Sequence, residues 1–163
     1  MQQIFFTTNN MKHEKHYIDT LYYQIEQTAK YCRSLGAQLF EKLNIQISVE
    51  EFTTLDTLSI HGEICQRDLA KLILKDRPST GRILNSLEGK GYVKRFADTK
   101  NNRLVRKIVV TEEGKAILVK TSQALKVYLE KIPRVLSEEK IEEMKKNMRE
   151  FRESLEKEVE MNI

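Results

Sequence analysis

Apolar residues recur along the first quarter of the chain in steps of three and four: Ile18, Leu21, Tyr22, Ile25, Ala29, Cys32, Leu35, Leu39 and Leu43. This spacing keeps one side of an α-helix apolar. It predicts a continuous amphipathic helix from about His13 to Leu43, on the order of 45 Å long at 1.5 Å per residue. One small domain cannot bury so long a stripe, and a second copy of the chain is the economical cover. Asn44–Ile47 interrupts the pattern, and Ser48-Val-Glu-Glu51 reads as a capping box for a second helix. That helix carries Val49, Phe52, Leu55 and Leu58 on one face and ends at His61-Gly62. After a short Glu63-Ile64 segment a third helix starts near Cys65–Arg67 and buries Leu69, Leu72 and Ile73. Asp76 is placed to cap a fourth, with Pro78 in the first turn, where a missing N–H costs nothing. Ile83, Leu84 and Leu87 form its apolar face, and Gly89-Lys-Gly91 stops it.

The period then changes from 3.6 to 2. Tyr92–Phe96 and Leu104–Val110 read as two strands separated by the polar Ala97–Arg103, a hairpin with a long charged tip. Thr111-Glu-Glu opens a fifth helix bearing Ile117, Thr121, Leu125, Tyr128 and Ile132, ended by Pro133. Ser137 caps a sixth, whose Ile141, Met144, Met148, Phe151, Leu155 and Val159 repeat at near-heptad spacing. The expected fold is mainly α with a small β-hairpin wing. It is a winged helix-turn-helix at 48–111 between a long N-terminal helix region, 1–47, and C-terminal helices, 112–163.

Composition narrows the class. Charged residues make up 32% of the 163 and aromatics 7%, with six glycines, two prolines and no tryptophan. That profile suits a helical soluble protein. No apolar run reaches the roughly 18 residues of a membrane span, and MQQIFFTTNN lacks the basic leader and apolar core of a secretory signal. Met11 offers a second start site. Two cysteines, Cys32 and Cys65, make no disulfide framework, so a reducing cytoplasm is expected. Enzyme classes find no support: there is no phosphate-cradling glycine loop, no nucleophile elbow and no His-acid-nucleophile set. No cofactor is implied.

The charge is unevenly spread. Between Cys65 and Lys107 twelve basic residues face four acidic ones, a local +8 in a chain whose total is +4. The flanks together therefore carry −4. A basic centre between acidic flanks suits a polyanion. Helix, tight turn, helix and basic hairpin is also an order with a use on duplex DNA. The second helix fits the major groove and presents polar N-terminal residues to base edges, while the hairpin reaches the adjacent minor groove or backbone.

The runs Cys-Gln-Arg-Asp-Leu-Ala (65–70), Asp-Arg-Pro-Ser-Thr-Gly-Arg-Ile-Leu-Asn-Ser-Leu-Glu-Gly-Lys-Gly-Tyr-Val-Lys-Arg (76–95) and Val-Thr-Glu-Glu-Gly (110–114) resemble the MarR/SlyA family of bacterial transcription regulators. The likeness covers about 50 residues closely, by the winged-helix pattern. It implies a homodimer whose first and last helices interlock, acting as a repressor on an inverted-repeat duplex operator. It also places base and phosphate contacts at Arg77, Pro78, Ser79, Thr80 and Arg82, and a groove-inserting arginine at Arg103. Lys94, Arg95 and Arg106 are expected at the DNA backbone or in structural contacts. The family's wing carries an acid just before its arginine, where this chain has Asn101-Asn102; Asp98 is then the candidate to orient Arg103. The alternative is a helical protein–protein adaptor without specific DNA binding, which has no need of the basic centre.

Regulation is the least legible part. Tyr22, Tyr23 and Phe40 of the first helix, with Leu58 and His61 of the second, are candidate walls for a small aromatic or hydrophobic effector. Tyr17, Tyr22, Tyr23 and Tyr31 also fit plain interface packing. Cys32, on the apolar stripe, reads as a buried core thiol. Cys65, at a helix start, reads as a small capping residue, although the dipole there favours a thiolate. Both are the candidates for a redox role. His13, His16 and His61 form no metal set.

Overall fold

The computed structural model describes residues 16–100, 103–130 and 136–158, without the side chains of Thr99, Lys100, Arg103, Leu104 and Leu129. The chain forms two compact units, Met1–Val49 and Glu50–Ile163.

In the first unit a single 3-10 turn, Tyr17–Asp19, precedes α1 (Leu21–Lys42). The expected continuous helix from His13 is therefore corrected: Thr20 has extended backbone, and its Oγ1 accepts the Tyr23 amide at 3.2 Å. A residue in that conformation caps a helix and cannot lie inside one. His13 itself lies outside the described residues. At the other end Asn44 adopts φ 51°, and the amides of Asn44 and Ile45 bond back to the carbonyls of Glu41 and Phe40. This is a Schellman stop with asparagine in the left-handed position. Leu39, Phe40 and Ile47 are buried, whereas Ile18, Leu21, Tyr22 and Leu35 are exposed. Cys32 is exposed as well, which corrects its reading as a core thiol. The stripe that carries it is not covered along that part of α1.

The second unit contains α2 (Val49–His61, all but its first residue), β1 (Ile64–Cys65), α3 (Gln66–Leu72), α4 (Arg77–Gly89), β2 (Val93–Lys100), β3 (Arg103–Val110), α5 (Glu112–Leu129) and α6 (Glu138–Glu158). Its core is built from Leu55 and Leu58 of α2, Leu69 and Ala70 of α3, Ile83, Leu84 and Leu87 of α4, and Val93, Ile108 and Val110 of the sheet. The sheet is antiparallel in the order β1-β3-β2. Two features differ from expectation. The Glu63-Ile64 segment leads into a third strand, pairing Ile64 with Ile108 and Cys65 with Lys107. The hairpin strands run through Lys100 and from Arg103, further than expected, and residues 101–102 lie outside the described residues. A backbone ladder pairs amides regardless of side-chain polarity, so charged positions extend it as well as apolar ones do.

α5 is anchored at its start. Thr111 Oγ1 donates to the Gly91 carbonyl at 2.7 Å and accepts the Gly114 amide at 3.0 Å. A Cβ on Gly114 would meet the Tyr92 carbonyl oxygen at 2.1 Å, so only glycine lets α5 approach β2 this closely. The Thr-Glu-Glu-Gly run thus welds α5 to the end of α4. The expected stop at Pro133 lies outside the described residues. α6 buries nothing: Ile141, Phe151 and Leu155 are half-buried, and Met144, Met148 and the preceding Leu136 are exposed. With Lys145, Arg149 and Arg152 several of these line a shallow open groove. Among the described residues no helix is long and apolar enough to cross a membrane.

Candidate nucleic-acid interface

α4 is the element most heavily organised by its own polar residues. Asp76 caps it: Oδ1 accepts the Ser79 amide at 2.7 Å and Oδ2 accepts the Ser79 hydroxyl at 2.9 Å. These two bonds hold the Asp76 carboxyl below its ordinary pKa, burial opposing and the Arg82 charge assisting. Arg82 Nη2 in turn donates to Ser79 Oγ at 2.9 Å. The result is a chain from carboxylate to hydroxyl to guanidinium across the first turn. Arg77, Pro78 and Arg82 remain exposed beside it. Ser79 is half-buried and engaged on both sides, so it acts on its neighbours.

Thr80 is corrected outright. It is fully buried, and its Oγ1 donates to the Asp76 carbonyl at 2.9 Å, leaving no surface for a partner molecule. Gly81, in the interior of α4, leaves room for Gln66 of α3. A Cβ there would sit 3.2 Å from Gln66 Nε2, which donates to the Arg77 carbonyl at 3.0 Å. The close approach is between α3 and α4.

On the hairpin, Lys94 and Arg106 are exposed, as an anion-facing role needs. Arg95 is turned away from that role: its guanidinium bonds Asn85 and Glu88 of α4. Whether Asp98 orients the wing arginine turns on the Arg103 side chain, which lies outside what is described. Asp98 pairs with Lys107 at 2.6 Å, and Lys107 also reaches Glu63 at 3.3 Å. Those contacts, with Asp98 foremost, raise the Lys107 pKa above its ordinary value. A lysine held between two carboxylates braces the base of the wing against the α2–β1 connection. Arg103 starts β3, and its side chain lies outside what is described.

Sequence reasoning missed Gln66, Asn85, Glu88 and Lys90 and read Glu51 only as part of a capping box, yet all five position α4. Glu51 is buried, accepting Ser86 Oγ at 2.6 Å and Lys90 Nζ at 2.8 Å, and so fixes the far end of α4 to α2. The buried carboxylate on an apolar helix face was the available signal.

The effector candidates separate by burial. Tyr22 is exposed and Tyr23 half-buried, and both rings pack on Tyr17, with centroids 6.1 and 5.6 Å away. Phe40 belongs to the core of the first unit and Leu58 to that of the second; His61 is exposed. Cys65 is the N-cap of α3 without a side-chain capping bond, and its Sγ lies 3.1 Å from Asp68 Oδ2. Among the described residues no group of three His, Cys, Asp or Glu side chains gathers as a metal site would.

Residues 47–105 match the model of the MarR family. The match takes in most of the winged-helix lobe. Solved structures agree across most of the chain. The S. aureus MepR–DNA complex is similar at 25% identity and a TM-score of 0.68, over 86% of this chain and 99% of that one. S. aureus MepR in its DNA-binding conformation also gives 25% and 0.68, over 83% and 98%. The oxidized form of E. coli MarR gives 20% and 0.65, over 81% and 93%. No curated protein matches the chain in sequence. The matched span ends at residue 105, so it takes in α4 and most of the wing and stops short of α5 and α6.

Proposed function

We propose that this chain is a transcription regulator that binds duplex DNA as a homodimer, presenting α4 to the major groove and the hairpin to the neighbouring backbone or minor groove. The observation that carries the reading is the first turn of α4. There Arg82 is held by Ser79 and Asp76 in an exposed position beside Arg77, in a lobe matched to the MarR family. A guanidinium pre-oriented at a helix N-terminal turn is suited to the acceptor edge of guanine. Arg77, Arg82 and Arg103 are the candidates for base or groove contacts, and Lys94 and Arg106 for phosphates. The regions 1–47 and 112–163 are the proposed dimer arms, supported by the apolar faces that α1 and α6 leave open. Two copies related by a two-fold axis would set their α4 helices roughly 34 Å apart, one helical turn of DNA. The operator is then an inverted repeat, and blocking it makes the protein a repressor in the cytoplasm. A small aromatic or hydrophobic effector that favours one spacing of the two lobes would release it.

Selection of duplexes from a random pool, followed by footprinting and gel filtration, tests this reading. The expected outcome is a palindromic footprint, a dimer, and affinity that falls steeply with salt as counterions are released. A chain that binds no duplex at about 50 mM salt is instead the helical adaptor.

A further inference from the structure

We propose that Arg95 is a positioning residue that locks α4 to the wing and thereby sets how sharply the protein discriminates among DNA sequences. The inference rests on the DNA-binding reading above. Arg95 lies on the core-facing side of β2, in register with Ile108. Its Nη1 donates to Asn85 Oδ1 at 2.8 Å and to Glu88 Oε2 at 3.0 Å, and Nη2 reaches the Gly81 carbonyl at 3.5 Å. The Arg95 backbone amide donates to the other Glu88 oxygen at 3.2 Å. Residues 81, 85 and 88, spaced four and three apart, form one face of α4, so one planar fork spans two helical turns. Arg95 Nε is buried without a hydrogen-bond partner. The Nε is therefore shielded from solvent, and the half-buried guanidinium is committed to α4.

The chemistry explains why this residue is arginine. A guanidinium presents its donors in a rigid fork, so bonding three acceptors on one helix fixes an angle as well as a distance. A lysine would keep the charge and lose the angle. Base readout needs α4 held within a fraction of an ångström of its productive pose, whereas attraction to phosphate tolerates looser placement. Loosening this clamp should therefore cost discrimination before it costs attraction.

The test uses a duplex selected from a random pool by the unaltered protein, and an unselected duplex, each titrated across a salt series well below the melting temperature. The variants are Arg95→Lys, Arg95→Gln, Glu88→Gln and the Arg95→Gln/Glu88→Gln pair. Arg95→Lys is expected to reduce preference for the selected duplex about ten-fold, with unselected binding and salt slope unchanged. Glu88→Gln should reduce preference in the same direction although it removes a negative charge, and the pair should be no worse than the worse single. A phosphate contact predicts the opposite set, and finding it overturns the proposal. In that case Arg95→Lys retains preference, Arg95→Gln weakens both duplexes and lowers the salt slope by about one, and Glu88→Gln strengthens both. If the unaltered protein binds no duplex, the DNA reading fails by itself, and amide exchange judges the clamp. Faster exchange of Ile83–Leu87 in Arg95→Lys, with Leu55 and Leu58 of α2 unchanged, supports it; uniform exchange rates overturn it.

Discussion

The winged-helix lobe and the terminal helices use similar apolar periodicity to opposite effect. In the lobe Leu55, Leu69, Leu84 and Leu87 have no accessible surface at all, while Leu21 of α1 keeps 55% and Met144 of α6 keeps 49%. Each lobe helix is covered by another element of the same unit. Asp76 starts α4, and Gly91 ends it in the left-handed conformation. α6 also has an apolar side, but Ile141, Met144 and Met148 on it line only an open groove. The difference teaches that periodicity states which face seeks cover and is silent on what provides it.

The largest expected effect separates the two regions directly. Leu84→Ala removes a fully buried side chain and should destabilise the lobe by about 2–5 kcal/mol, read by urea unfolding. Met144→Ser and Met148→Ser should leave unfolding of a monomeric sample unchanged and instead weaken self-association in sedimentation. Equal losses of lobe stability in both experiments would erase the distinction.

Next comes the junction between the regions. Gly114→Ala forces a methyl group against the Tyr92 carbonyl, which lies on backbone and cannot swing aside. Overpacking of this kind costs about 1–3 kcal/mol, visible as a lower melting temperature. A neutral result would mean that α5 is not held to β2 as described.

A smaller effect, of opposite sign, is expected at Leu74. It is exposed, and at φ 52° it fills the left-handed position of a Schellman stop, with Lys75 N bonded to the Ala70 carbonyl. The same position holds Asn44 after α1 and Gly91 after α4, residues that tolerate it. Leu74→Gly should therefore raise stability by up to about 1 kcal/mol. A decrease would show that the exposed Leu74 side chain contributes a contact that outweighs the strain.

The smallest effect is titratable. Because Asp76 has a lowered pKa in the folded state, its contribution is present above the unfolded value and is lost as pH falls through the folded one. Asp76→Asn should lower the melting temperature by a few degrees near neutrality, and the gap to the unaltered protein should close under acid. A gap independent of pH would mean that the carboxylate charge is irrelevant to the cap.

Much of the lobe was legible because its signals are local. Asp76, Pro78 and Gly91 bound α4 by backbone chemistry within a few residues, and the switch to alternating residues after Tyr92 marks the hairpin. The break at Thr20 was harder, since a threonine on a periodic helix face is also compatible with continuation. Strand ends at Lys100 and Arg103 were hidden because ladder pairing uses amides rather than side chains.

By itself the sequence determined the order of elements, the basic middle, the family resemblance and the arginines near the start of α4. Tertiary structure alone decided which polar residues face outward. Thr80, Arg95 and Asp98 share composition and neighbourhood with Arg77, Lys94 and Arg106, yet the first three are turned to Asp76, to α4 and to Lys107. The physical reason is that a hydrogen bond or ion pair is chosen by the partner that folding brings within about 3 Å: Arg95 meets Glu88, and Lys107 meets Glu63 and Asp98, only after the strands have paired and packed beside the helices.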